Sequence, residues 1–271
     1  MKQVLRYACM LIVLMPVVAA FGQTVSSEHQ GIRYPVLGDN FTADHLGNIY
    51  WIAGTRLLRF HTHTGSTDSY SNASYGDIRF VDASDPFNIL VFHYRSQRVI
   101  WLDRNLAPKV SPGVTSFAEK EYFSIVAGSE LGGFWAFHPS SARIMHYDQS
   151  FAKKAQTLPL LEILPRFGDP VAIVESDARL FVSQPERGIA VFDLFGNFAF
   201  LIEKTGIESF QVIGNNIFFF TKTELISYNF IRKTHTKVMS FNDPIMAGLI
   251  VGSTVYVLSA TGLYAFGMNQ Q

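Results

Sequence analysis

Cysteine is nearly missing from this chain: Cys9 is the one example in 271 residues, and it lies in the N-terminal apolar stretch. A protein cut after that stretch has no disulfide available and must be held by its core. Net charge is missing too, because Lys+Arg and Asp+Glu both number 22 and no basic run breaks the balance. This excludes the broad positive field that gathers nucleic acid or an anionic membrane surface. No heptad seam or low-complexity tract is present. Several motifs are absent as well: Gly-x-Ser-x-Gly, Cys-x-x-Cys, His-Glu-x-x-His, and a glycine loop that cradles phosphate at the start of a helix. Gly47, Gly54 and Gly132-Gly133 form no such loop.

What is present is apolar. Hydrophobic residues make up 48% of the chain and aromatics 14%, with 24 Phe, so a large core is available and disorder is excluded. At the N-terminus, Lys2 and Arg6 precede an apolar run from Ala8 to Phe21, and Ala20-Phe21-Gly22 places small residues before a cut that leaves Gln23 first. The pattern predicts a signal peptide over 1–22 and a single domain over 23–271. An uncleaved anchor is the alternative, but the run is shorter than the roughly 20 residues a membrane span needs. Lipid anchoring is disfavoured because Cys9 comes near the start of the run and not at its end. The expectation is an exported protein, periplasmic, outer-membrane-associated or secreted, with no transmembrane segment after cleavage. Asn40-Phe41-Thr42 and Asn72-Ala73-Ser74 match the glycosylation pattern, which matters only in a eukaryotic secretory pathway.

The apolar residues recur in an ordered way. Leu57-Leu58-Arg59-Phe60 begins a series of an aliphatic residue, two looser positions and a large apolar residue. It returns at Val99–Leu102, Ile144–Tyr147, Ile189–Phe192, Leu225–Tyr228 and Leu263–Phe266. An interval of about 36 to 45 residues in an all-strand chain is the signature of propeller blades. Each copy follows a second apolar run (Ile49–Ile52, Ile89–Phe92, Phe134–Phe137, Leu180–Val182, Ile217–Phe220, Val255–Leu258) rich in the β-branched and aromatic residues of buried strands. A tight turn rich in Gly, Asn or Asp precedes each of these runs. The first strands before those turns are rich in small residues, as crowding about a central axis requires. Fourth strands are the least marked: Asp68–Tyr70, Lys109-Val110, Phe198–Ile202 and Lys237–Ser240 are the candidates. The last unit has none of its own, and Gly31–Val36 is free to supply it, closing the ring. The prediction is therefore an all-β, six-bladed propeller of four-stranded antiparallel blades, with negligible helix after residue 23. Residues 155–168 lengthen one connection. They read either as an outer strand bounded by prolines or as an apolar surface loop that docks a partner.

In a propeller, the connections entering the first strands and those between second and third strands share one face. On that face the sequence places Asp39, Asp77, Asp169, Glu208 and Asp243 near the starts of five first strands. Asp77, Asp169 and Asp243 are the metal-ligand candidates, since a carboxylate ring would suit a divalent cation through hard oxygen ligands. The alternative is ordinary turn chemistry, because Gly38-Asp39, Gly76-Asp77 and Gly168-Asp169 are common turn pairs. The connections between second and third strands contribute His93, Arg95, His138, Gln184, Glu186 and Arg187. These would suit a polar or anionic ligand if they converge, and are solvated turn residues if they do not. His93 and His138 occupy equivalent places in neighbouring units and could face one another across the mouth. His61-Thr62-His63 offers alternate histidines without a third ligand nearby.

In unit size and number and in strand exchange, Ile32 to Phe266 resembles the six-bladed propellers of the NHL, lactonase and gluconolactonase-like kind. In the gluconolactonase-like enzymes the resemblance implies a divalent metal held by Glu, Asn and Asp on different blades. Asp77, Asp169 and Asp243 match no such motif residue by residue, so that activity does not carry over. The reading from sequence is an exported, monomeric, non-enzymatic propeller that binds or scaffolds a protein or glycan partner and no nucleic acid. The alternative is a metal-dependent hydrolase or lactonase that uses the channel mouth.

Overall fold

The computed structural model describes residues 32–34, 38, 40–109 and 122–268. The predicted signal peptide over 1–22, Gly31, Pro35-Val36, Asp39 and Val110 lie outside them. Six antiparallel sheets form the blades. The chain begins with β1 (Ile32–Tyr34) and then builds blade 1 from β2 (Phe41–Ala43), β3 (Asn48–Ala53), β4 (Arg56–His61) and β5 (Thr67–Ser71). Blade 2 is β6 (Ile78–Asp82), β7 (Ile89–His93) and β8 (Arg98–Leu102). Blade 3 is β9 (Ile125–Gly128), β10 (Phe134–His138), β11 (Arg143–Tyr147) and β12 (Lys153–Gln156). Blade 4 comprises β13 (Ala172–Ser176), β14 (Arg179–Gln184), β15 (Gly188–Asp193) and β16 (Phe198–Ile202). Blade 5 comprises β17 (Ser209–Ile213), β18 (Asn216–Phe220), β19 (Glu224–Asn229) and β20 (Thr234–Ser240). In blade 6, β21 (Ile245–Val251), β22 (Thr254–Ser259) and β23 (Gly262–Gly267) are completed by β1, in the order β1-β23-β22-β21.

That last pairing closes the ring. Ile32 stands opposite Ala265, Arg33 opposite Tyr264 and Tyr34 opposite Leu263. The Arg33 guanidinium donates to the Thr261 carbonyl at 2.8 Å, and the Tyr34 ring meets Phe60 edge-on at 6.0 Å. The seam between last and first blades is therefore filled from both ends of the chain. The predicted architecture and its closure are what the structure shows.

The repeated motif explains the core. Side chains alternate across a strand, so residues three apart point to opposite faces. Leu57 faces blade 2 and Phe60 faces blade 6; Ile189 faces blade 5 and Phe192 faces blade 3. The same holds around the ring, and each hydrophobic cluster fills one seam between adjacent blades. The first motif residue is buried in all six copies. At the last position Leu102, Tyr147 and Phe192 are buried, whereas Phe60, Tyr228 and Phe266 are half-buried. Between motif residues, Arg59 is only 6% exposed and bonded to Asp68. Small residues in the inner strands allow close approach. A Cβ at Gly248 would overlap the buried Phe220 ring of the neighbouring blade.

Three local expectations need correction. Among the described residues blade 2 has three strands; in place of a fourth there is a bridge between Leu102 and Pro108 and a Lys109 N–H bond to the Trp101 carbonyl. The outer strand of blade 3 lies earlier than expected, at β12. After Pro159 the chain turns into a short helix, α1 (Leu160–Ile163), which buries Leu160 against the seam of blades 3 and 4 and leaves Leu158 and Leu161 exposed. Helix is thus small but not negligible, since a 3₁₀ turn at Ala73–Tyr75 joins it.

Candidate functional site

Hydrogen bonds identify two faces. On the upper face, connections between second and third strands meet those entering the first strands: Ile78 N–H donates to the Gly54 carbonyl, and the Gln97 side chain bonds both ways to the Phe123 backbone. On the lower face, first-to-second turns meet third-to-fourth turns, as in the Thr62 hydroxyl donating to the Gly47 carbonyl at 2.6 Å.

His93 and His138 belong to the upper side, but not to turn tips. Each is the last residue of its strand, β7 or β10, and each is buried. His93 Nδ1 lies 2.9 Å from the Gly76 carbonyl, which can only accept, so Nδ1 carries the proton. Its Nε2 is 3.5 Å from the Tyr70 hydroxyl, and the Tyr75 ring stands edge-on to it. Burial lowers the His93 pKa against the Gly76 bond, while Arg98 adds to the lowering; burial also pushes the Tyr70 hydroxyl up to about 12. The imidazole is neutral and structural. His138 Nε2 lies 3.0 Å from the Tyr147 hydroxyl and its ring meets Phe123 edge-on at 4.5 Å. The two histidines thus serve separate aromatic seams, each with its own tyrosine partner.

The other upper-face candidates also spread out. Arg95 is exposed in the blade 2 turn, beside Gly76. In blade 4, Gln184 accepts from the Glu186 N–H at 2.9 Å, Glu186 is exposed, and Arg187 is half-buried with its Nε unbonded. Asp77, Asp169, Glu208 and Asp243 are exposed at the entrances to blades 2, 4, 5 and 6, and Asp39 lies outside the described residues. Among the described residues no three His, Cys, Asp or Glu side chains are grouped to hold a metal ion. His61 instead bonds Asp68 at 2.8 Å, the carboxylate that also pairs with Arg59.

The lower face carries features that strand-level reading missed. One turn recurs in blades 2, 3 and 4. Asp103, Asp148 and Asp193 each use one carboxylate oxygen to accept from the N–H groups two and four residues later, at 2.8–3.0 Å. Leu106, Phe151 and Gly196 take the positive φ that this turn needs. Asp44 makes the same turn in blade 1, buried and bonded also to the Tyr50 hydroxyl at 2.8 Å. The recurrence of Asp at the same place in three consecutive repeats, Asp103, Asp148 and Asp193, was a legible signal.

First-to-second turns on this face project apolar side chains outward. Leu46, Phe87 and Leu131 each follow by two residues a side chain (Asp44, Asp85, Ser129) that accepts their own N–H. They are 47%, 51% and 71% exposed, and Ile213 before the blade 5 turn is 43% exposed. Three of the six first-to-second turns, those nearest the axis, therefore carry an apolar tip, and in blade 5 the last residue of the first strand is exposed beside the turn. At the seam of blades 3 and 4, Glu175 of β13 accepts from the Trp135 indole N–H of β10, and its other carboxylate oxygen has no partner.

No family model matches the chain, and no curated protein matches it. Solved structures do. A chain from the crystal structure of the mitotic checkpoint complex has a TM-score of 0.63 at 10% identity, over 100% of this chain and 99% of that one. BBS1N in complex with ARL6DN has a TM-score of 0.58 at 13% identity, over 88% of this chain and 80% of that one. Streptogramin B lyase has a TM-score of 0.55 at 10% identity, over 89% and 87%. At these identities what the chain shares with all three is the fold, a β-propeller of six blades here.

Proposed function

We propose that this protein is an exported, non-enzymatic propeller whose lower face binds a protein partner. The observation that carries the reading is the set of exposed apolar side chains, Leu46, Phe87 and Leu131 on three turns and Ile213 at the end of β17, around one end of the axis. Apolar side chains held outward by their own turns, and not folded into a seam, mark an interaction surface. Two of the similar structures, the mitotic checkpoint complex and BBS1N with ARL6DN, are of assemblies, which is consistent with a binding role. Export rests on Lys2, Arg6 and the Ala8–Phe21 run, which places the partner in the periplasm, at the outer membrane or outside the cell. The lactonase and gluconolactonase-like reading has the likeness to streptogramin B lyase behind it, but no ligand group among the described residues to build on. Fold alone does not choose a chemistry.

A photo-crosslinking residue at position 87, compared with one at position 95 on the upper face, tests the reading in the producing cell. A discrete heterologous adduct from 87, lost on Ile213→Ser, is the expected result. Adducts from 95 alone would move the site to the upper face, and adducts to a second copy alone would replace the partner by self-association.

A further inference from the structure

The blades differ in what their outer edges show to solvent. β5 carries Asp68, β12 carries Lys153 and Lys154, β20 carries Lys237, β1 carries Arg33, and blade 2 ends at Pro108 and Lys109. Charge and proline at an edge oppose its pairing with another chain. β16 reads Phe-Ala-Phe-Leu-Ile and has neither. It is the last strand of its sheet, and among the described residues no backbone hydrogen bond reaches it from outside that sheet.

Its outer side offers free backbone groups. A Cβ at Gly188 of β15 would meet the Ile202 carbonyl oxygen and the Lys204 N–H, so those two groups point into the blade. Direction alternates along a strand, and Leu201 and Glu203 therefore turn their N–H and C=O groups outward. The bulge in the ladder lies earlier, so Phe200 to Ile202 stay in register with β15. Apolar surface lies beside this edge. Phe198 is 37% exposed, and Phe195, in the turn leading into the strand, is 80% exposed, the most of any large apolar side chain among the described residues.

The chemistry of the edge complements itself. Laid antiparallel about Leu201, two copies set Phe200 opposite Ile202, Ala199 opposite Glu203 and Phe198 opposite Lys204. No like charges meet, and the methylene stem of Lys204 covers the exposed Phe198 ring. With 22 cationic and 22 anionic residues, the chain has no net charge to hold copies apart. We propose that the protein self-associates through β16, two copies joining their fourth blades into one continuous sheet. The contact is two-fold and closed, so association stops at the dimer. It departs from the monomer expected from the sequence, and it stands apart from the lower-face docking surface, which uses blades 1, 2, 3 and 5.

Sedimentation velocity of the mature protein, over a micromolar to sub-millimolar series, is expected to move from one chain mass to two. Hydrogen exchange at the Leu201 and Glu203 amides should slow as the dimer forms. Glu203→Pro deletes an outward N–H and leaves the inner ladder intact. It should weaken the dimer about tenfold or more, since two hydrogen bonds go per dimer, whereas Glu203→Ala should change it little. If Glu203→Pro misfolds by near-UV circular dichroism, Phe198→Lys sets lysines opposite one another at both ends of the junction and should weaken the dimer as much. Adding Lys204→Glu to that variant should restore it. A single chain mass throughout, a dimer indifferent to these substitutions, or a dimer without slowed exchange at β16 would overturn the proposal. A dimer lost on Ile213→Ser instead would overturn it in favour of self-association through the lower face. A monomer whose position 199 photo-crosslinks to another protein would overturn it in favour of a foreign strand.

Discussion

Leu57 and Phe60 are three residues apart on one strand, and that odd number sends them into different seams. The aliphatic position is always fully enclosed, whereas the large terminal residue is enclosed only where the neighbouring blade covers it. Phe192→Ala should therefore cost about 3–5 kcal/mol, and Phe60→Ala, half-buried, clearly less; urea unfolding of the two side by side checks this ordering. Arg59 and His93 show where residue types misled. Arginine in a strand centre reads as solvated, but here the β5 carboxylate of Asp68 and the Arg104 carbonyl bring it inside. Histidine beside a turn reads as a ligand, but it is the strand's last inward position and has the Gly76 carbonyl for a partner. Its pKa is lowered from 6.5, so as pH falls below that value the unfolded chain takes the proton first. The stability His93 contributes is then full above pH 6.5 and declines below it. Comparing wild type with His93→Gln, the loss of stability between pH 7.5 and pH 5.5 should be smaller in the variant; an unchanged loss would mean that other groups carry it.

At the scale of the element, strands and hairpins were legible because both their faces are buried and their turns need Gly, Asn or Asp. Edges were not. An outer strand has only one covered face, so β12 reads Lys-Lys-Ala-Gln with no apolar alternation, and its place was assigned instead to the leucine-rich stretch that forms α1. The proposed docking surface was hidden for the opposite reason. Leu46, Phe87 and Leu131 look like core residues by type, and only the preceding acceptor side chain turns them outward. The Asp turns carry a consequence for acid stability. Backbone N–H groups hold the Asp103 carboxyl below its usual range. For Asp148 the Lys154 ammonium and then Ser150 do so, and for Asp193 bonds from Asn197 and the backbone outweigh burial. A depressed carboxylate contributes stability above its unfolded value near 3.8, and loses it as pH falls through the lower folded value. Asp193→Ala should accordingly lower the melting temperature at pH 7 and do so much less at pH 2. An equal drop at both would show that the turn acts through packing and not through its ionised hydrogen bonds.

For the whole molecule, the controlling fact is that the two ends of the described chain are neighbours. Inner strands touch around the ring from β6 through β9, β13, β17 and β21 to β2, and between blades 1 and 2 it is β3 that meets β6, so no seam is weaker for lack of a neighbour. What remains exposed to loss is blade 6, whose third strand β23 has no outer partner except β1. Removing residues through Tyr34 should bare that edge and strip Tyr34 from the seam it shares with Phe60 and Tyr256. Lower melting and concentration-dependent association are expected, since an unpaired edge templates pairing with other chains. A permutant separates loss of the strand from loss of chain order. Because Ile32 lies opposite Ala265, a short Asn-Gly-containing turn can join Met268 to Ile32 and make blade 6 a continuous four-stranded meander. New ends then fall at Gly65, in an exposed lower-face turn. Loop closure depends only weakly on length, so the permutant should unfold in one transition within about 1–2 kcal/mol of the parent. A truncated chain as stable as the parent would show that β1 is an ornament on blade 6. A permutant that fails while the truncation folds would show that the ring depends on the order in which its blades are made, and not on the strand that closes it.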